Sequence, residues 1–182
     1  MDIGKTSLVV LSILIAVWYL AGTIINRKRG VATYYWLREG LREVVGEPGE
    51  GKWLNPMGTK AHLTVAKARA PFRQMNVVFS LVARDILPLW LFNLARGKGD
   101  EMIITASLRS LPAPRETTSA WEDFLERYPA VVDLIISQRR PHIRMRVALP
   151  PLQRENAPAA EFFAALAEAG QKATVSTNTR TH

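Results

Sequence analysis

The sequence predicts an α+β protein: a single N-terminal transmembrane helix, then one domain with a mostly antiparallel sheet of about five strands packed by three to four helices. Three observations predict it. Leu8 to Ile25 is a run without a charge, followed at once by Asn26-Arg27-Lys28-Arg29. Beyond residue 51 the apolar residues recur mainly with a period of two, which marks half-buried strands. Between those segments lie stretches whose apolar residues recur at three and four, which marks helices packed on a sheet.

At ~1.5 Å of rise per residue the uncharged run covers about 27 Å, close to the roughly 30 Å hydrocarbon thickness of a bilayer. A cleaved secretory signal would place its basic cluster before a shorter apolar core. Here the cluster follows, so a retained anchor is the expectation. Trp18 and Tyr19 fall inside the run rather than at its edges, which suits an interfacial aromatic belt poorly. The bias of positive charge toward the cytoplasmic side predicts an outer N-terminus and a cytoplasmic domain. The expected divisions are an anchor over 1–26, a juxtamembrane helix and loop over 27–51, the α+β domain over 52–170 and a disordered tail over 171–182.

Val31 to Val45 is read as a helix leaving the anchor, with Tyr35, Leu37, Leu41 and Val45 on its apolar face. Gly46-Glu47-Pro48-Gly49-Glu50-Gly51 ends it, because proline and three glycines favour a loop. Ala61, Leu63 and Val65 alternate with His62, Thr64 and Ala66, and Met75, Val77, Phe79 and Leu81 do so with Gln74, Asn76, Val78 and Ser80. A third strand follows the Gly97-Lys98-Gly99-Asp100 turn through Met102, Ile104, Ala106 and Leu108. The last two, around Val132 to Ile136 and Ile143 to Val147, are expected to pair as a hairpin.

Between the strands, Asp85 is placed to cap a helix over Ile86 to Leu94. That segment is apolar nearly all round, so it is either buried in the core or embedded in the face of a membrane, and too short to span one. Burial in the core is the expectation. Exposure of Leu89, Trp90 and Phe92 would mark a contact surface instead. Ser119 and Glu122 have capping-box spacing, and Trp121, Phe124, Leu125 and Tyr128 form one stripe ending at Pro129. Asn156 and Pro158 open a final helix whose stripe, Phe162, Phe163, Leu166 and Ala169, is expected to stop at Gly170.

With no cysteine among 182 residues, disulfides, thiolate metal sites and cysteine nucleophiles are excluded. Only Lys5 and Asp2 precede the span, so the remainder carries the whole net charge of +8. Such a domain is drawn to anionic headgroups, RNA or acidic protein segments. Gly4-Lys5-Thr6-Ser7 imitates the end of a phosphate-binding loop, but lacks the upstream glycine and the preceding strand. His62, His142 and His182 have no metal-site spacing, and there is no Gly-x-Ser-x-Gly elbow. Asp100-Glu101 and Glu122-Asp123 are read as structural. No enzymatic activity, cofactor or metal is expected.

The main candidate surface is the strand from Pro141 to Pro150. Alternation puts His142, Arg144 and Arg146 on one face, Arg139 and Arg140 extend the charge into the preceding turn, and all five are expected to share one edge. Arginines hold phosphates and carboxylates bidentately. The plainer reading is a solvated strand or an edge guarded against aggregation. Lys60, Lys67, Arg69 and Arg73 would widen the patch if their strand lay adjacent.

The layout resembles the calumin family, coiled-coil-domain-containing proteins of the endoplasmic reticulum that assist multipass membrane-protein insertion beside ribosome and translocon. The resemblance rests on the anchor with Arg27-Lys28-Arg29, on Trp36-Leu37-Arg38-Glu39, and on Arg84-Asp85-Ile86-Leu87 opening a helix that ends in Leu94-Ala95-Arg96. Val147-Ala148-Leu149-Pro150 before a Phe-rich helix adds to it. The chain lacks that family's long acidic lumenal segment and its charged coiled coil. The resemblance implies a non-enzymatic accessory protein with the bilayer, a membrane-protein complex, and the ribosome or an acidic protein as partners, and no DNA. The alternative is a membrane-tethered module that binds anionic lipid or a small ligand.

Overall fold

The computed structural model describes residues 3–110, 116–137, 141–149 and 158–175. Its first element, α1 (Ile3–Gly40), is one helix of 38 residues, about 57 Å long at the usual rise, which runs without a break from the apolar run into the domain. The expected anchor and juxtamembrane helix are therefore one rod. Leu41–Val45 adds a single π-helical turn ending at Gly46, whose φ of 140° suits glycine. Gly40 sits where the register changes, because a Cβ there would collide with Ala159.

Among the described residues six strands follow, one more than the alternation indicates: β1 (Lys52–Trp53), β2 (Lys60–Val65), β3 (Phe72–Ser80), β4 (Glu101–Leu108), β5 (Val131–Ser137) and β6 (His142–Ala148). At two residues β1 is too short to have a period. All neighbours are antiparallel, in the order β1-β2-β3-β4-β6-β5. The β5–β6 hairpin forms as expected, with Leu134 opposite Met145.

The other helices among the described residues are α2 (Leu87–Ala95), α3 (Glu116–Arg127) and α4 (Ala159–Val175). Ser119 lies inside α3, which begins three residues earlier, so the capping-box spacing does not mark its start. Gly170 does not end α4. It continues to Val175 while Gly170 lies against Pro71, where a Cβ would come within 3.0 Å of the ring. Close approach, not chain reversal, accounts for that glycine. Asn156, and the expected tail beyond Val175, lie outside the described residues.

One face of the sheet holds the core. Leu63, Val65, Met75, Val77, Phe79, Met102, Ile104, Ile143, Met145 and Val147 meet Trp121 and Phe124 from α3 and Phe162, Phe163 and Leu166 from α4. Phe162 packs against Phe124 and Tyr128 at ring separations of 5.7 and 5.2 Å. Burying each such ring stabilises the fold by about 1.5–3 kcal/mol. From α1 and its π turn come Leu37, Leu41 and Val45; Tyr35 instead points outward, and Thr33 takes its place on the buried face.

Candidate functional site: an open sheet face and a helix beside the span

The same alternation that fills the core leaves a second sheet face which no described element covers. Across it run cross-strand rows: His62, Val78, Ile103, Arg146 and Asp133; then Thr64, Asn76, Thr105, Arg144 and Ile135; then Gln74, Ser107, His142 and Ser137. Arg144 and Arg146 are exposed and His142 is half-buried, on one face as alternation requires. Neither arginine makes an ion pair with a described residue. The Thr64 hydroxyl donates to Asn76 Oδ1 at 3.0 Å and lies 3.2 Å from His62 Nε2, so part of this face is already hydrogen-bonded.

Two expectations about the patch need correction. β6 is an interior strand between β4 and β5, so its charges stand on an open face and not along an edge. β2 is separated from β6 by two strands, so Lys60 does not widen the patch, and the Arg69 guanidinium is turned to the Glu43 carbonyl. Only Arg73 approaches it, sharing with His142, Gln74, Ser107 and Ser137 a depression of about 510 Å³. Arg139 and Arg140 lie outside the described residues. At the other end of β6, Arg146 shares a hollow of about 730 Å³ with Ser80, Lys98 and Glu101.

The second feature overturns an expectation. No residue of α2 is buried, so it is not a core helix: Leu89, Leu91, Phe92 and Leu94 are 41%, 50%, 55% and 59% exposed. It lies beside the apolar run of α1, where Trp18 and Trp90 stack with centroids 5.5 Å apart and the Trp18 indole donates to the Arg84 carbonyl at 2.9 Å. Trp18 thus has a tertiary partner at its mid-run position. Asp85 does not cap α2; Ile86 occupies that position, and Asp85 accepts a hydrogen bond from Asn26 at 3.2 Å, with both side chains buried.

The contact is possible because Trp18, Gly22, Asn26 and Gly30 follow one another at intervals of four on one face of α1, an aromatic ring followed by two glycines and an asparagine. A Cβ on Gly22 would come within 2.6 Å of the Arg84 carbonyl oxygen, and one on Gly30 would collide with the Gly58 carbonyl. That stripe was the missed signal in the sequence. An ionic hub fixes the same level: Asp100, whose side chain is fully buried, takes Arg84 at 2.8 Å, Arg29 at 3.0 Å and the Val82 amide at 2.8 Å. The pair Asp100-Glu101 therefore splits, Asp100 joining α1 to the sheet and Glu101 starting β4.

The apolar run itself is bare. Leu8, Ile13, Leu14, Ile15, Val17 and Leu20 are each more than half exposed, and α1 is long and apolar enough to cross a membrane. Among the described residues, no group of three or more His, Asp and Glu side chains is placed to hold a metal ion. No known family model matches the chain, and no curated protein matches it in sequence.

Proposed function

We propose that this is a non-enzymatic, membrane-anchored accessory protein that holds a basic α+β domain beside a membrane-protein complex and assists its insertion or assembly. In this reading α1 crosses the bilayer once, with the N-terminus outside and the domain in the cytoplasm. Two of the three cations after the run, Arg27 and Lys28, are exposed and available to set that orientation, while Arg29 is engaged by Asp100. The observation that carries the reading is the jointless helix, because it joins a bare apolar span directly to a folded unit whose open face is polar and basic.

His142, Arg144 and Arg146 form the docking face for an acidic partner surface. An acidic protein is favoured over single-stranded RNA, since the cross-strand rows hold no Phe, Tyr or Trp ring on which bases could stack. Purification of the full chain from its native membrane in mild detergent tests the proposal. The expected outcome is co-recovery of translocase, insertase or ribosomal components, lost with Arg144→Glu and Arg146→Glu. Those substitutions lie on an exposed face and should change the domain's stability by less than about 0.5 kcal/mol. A protein recovered alone, or partners retained by the double variant, overturns it.

Binding of anionic lipid is favoured by one feature, the hollow where Arg146 and Lys98 converge beside the end of α2. Under that reading flotation with anionic vesicles falls as salt rises. Indifference to lipid charge ends it.

A further inference from the structure

We infer that α2 is a second membrane element, lying within the domain-side leaflet against the span, with lipid covering the side chains that the protein leaves bare. The inference rests on α1 spanning the bilayer, and three observations beyond that carry it. The first is position. Ile86, Leu87 and Pro88 line, with Leu11, Ser12, Ile15, Ala16 and Tyr19, an apolar groove of about 680 Å³ between α2 and α1. The start of α2 is therefore level with the domain-side part of the uncharged run, beside Trp18 and Tyr19, which lie about 10–12 Å along the helix axis from Asn26. A helix held at that depth meets acyl chains if the run does.

The second is composition against exposure. Leu89, Leu91, Phe92 and Leu94 face outward all around a helix that buries no side chain, and such a patch in water would be an aggregation site. At 9 residues α2 cannot cross the bilayer, but apart from its ends its backbone is internally hydrogen-bonded, and it can lie in the outer part of a leaflet. The third is its polar rim. Arg84 and Asp85 stand at its entry, and Arg96 and Lys98 at its exit. Arg96 lays its guanidinium over the Phe92 ring at 5.1 Å, a cation–π contact one turn back along the helix. Asn26–Asp85 and Arg29–Asp100 tie this rim to the polar end of the run. Lipid is the occupant that these features share; a protein partner would require only the patch, not the depth or the cationic rim.

The absence of cysteine makes the test direct. Single cysteines at Leu91, Phe92 and Leu94, all exposed and free to accept a label, are spin-labelled in the full-length protein in nanodiscs holding one copy. Collisions with oxygen, which partitions into lipid, and with a water-soluble nickel chelate are compared. Leu14 and Val17 report the span, and Ile135, an exposed apolar residue on β5 that does not line the hollow beside α2, reports water. The expected result is loss of nickel-chelate broadening and gain of oxygen broadening at all three α2 positions, matching Leu14 and Val17. Nickel-chelate access equal to that at Ile135 overturns the inference. Protection from both reagents also overturns it, because protein then covers α2. If Leu14 and Val17 themselves report water, the spanning reading of α1 has failed, and the inference fails with it for that separate reason.

Discussion

Asp100→Ala removes the residue on which three segments converge. The side chain is fully buried and accepts from Arg84, Arg29 and the Val82 amide, so its loss takes the charged acceptor from two guanidinium groups and the acceptor from one amide, while Arg84 keeps its contacts to the Asn26 and Val82 oxygens. These are unequal. The Arg84 side chain is 19% exposed and recovers little water, so its share approaches the lower end of the 3–5 kcal/mol that follows breaking a buried pair, about 2–3 kcal/mol. Arg29 is 39% exposed, so water replaces most of the lost contact and its share is below about 1 kcal/mol. The amide adds about 1 kcal/mol. The expected loss is about 3–5 kcal/mol, measured as the midpoint shift in urea unfolding of the full chain in a mild detergent, with proteolysis of the unfolded fraction as readout. Asp100→Asn keeps one oxygen for Val82 and should lose about 1 kcal/mol less. A double-mutant cycle with Arg84→Ala should return a coupling of about 2 kcal/mol that changes little between low and high salt. An Asp100→Ala loss under about 1 kcal/mol, or a coupling that salt abolishes, refutes the hub as described.

Two further predictions use the helix surfaces. Gly30→Ala should destabilise the domain by about 1–3 kcal/mol or more, since its Cβ meets the Gly58 backbone, while Gly4→Ala, with open space around it, should be neutral or slightly stabilising; equal midpoints for the two in the same unfolding assay would contradict the seating of α1. On α4 the ammonium of Lys172 donates to Glu168 at 2.8 Å, and this hydrogen bond, then its charge, hold the Glu168 carboxyl below its ordinary range. Lys172 is raised by the same contact. The Glu168 contribution is therefore present above the ordinary carboxylate range and lost as pH falls through the lowered value, whereas that of Lys172 is lost as pH rises through its raised value. A carbon-detected titration should find Glu168 below ordinary glutamates, returning to them in Lys172→Ala.

Where burial follows a single period, the sequence was legible. Leu63, Val77, Ile104 and Met145 announce their strands because each alternates against a polar neighbour, and Trp121 and Phe162 do the same for their helices at the longer period. The failures have distinct causes. α2 was assigned to the core because Leu87 to Leu94 is apolar on every side, and that composition fits a helix under a sheet as well as one beside a span. Its neighbour decides, and the neighbour is found only through Trp18, Gly22, Asn26 and Gly30. Ser119 and Gly170 misled as punctuation: a serine is tolerated inside a helix, and a glycine is needed wherever another chain, here Pro71, approaches closely. For the candidate surface, alternation identified the shared face of His142, Arg144 and Arg146, but strand order is a tertiary property. The sequence therefore could not place β6 inside the sheet or put β2 out of its reach.

The jointless α1 changes what that basic face can do. A flexible tether would let the domain sample a hemisphere of orientations, and any partner would have to select one. Here Gly22 and Gly30 fit against backbone, Asn26 holds Asp85, and Arg29 holds Asp100, so rotation and tilt of the domain on the rod are opposed at four levels. The strand ends at Ser80, Glu101 and Ala148 lie beside the turn that leaves α2, whereas Pro141 and His142 stand at the opposite end of the sheet. Arg146 is therefore the side chain of this basic face nearest the apolar run and His142 the farthest. A partner carried in the same bilayer would meet Arg146 first at a fixed height, while one arriving from solvent would meet His142 and Arg73. The order in which these side chains lose affinity when substituted one at a time thus reports the direction from which the partner comes.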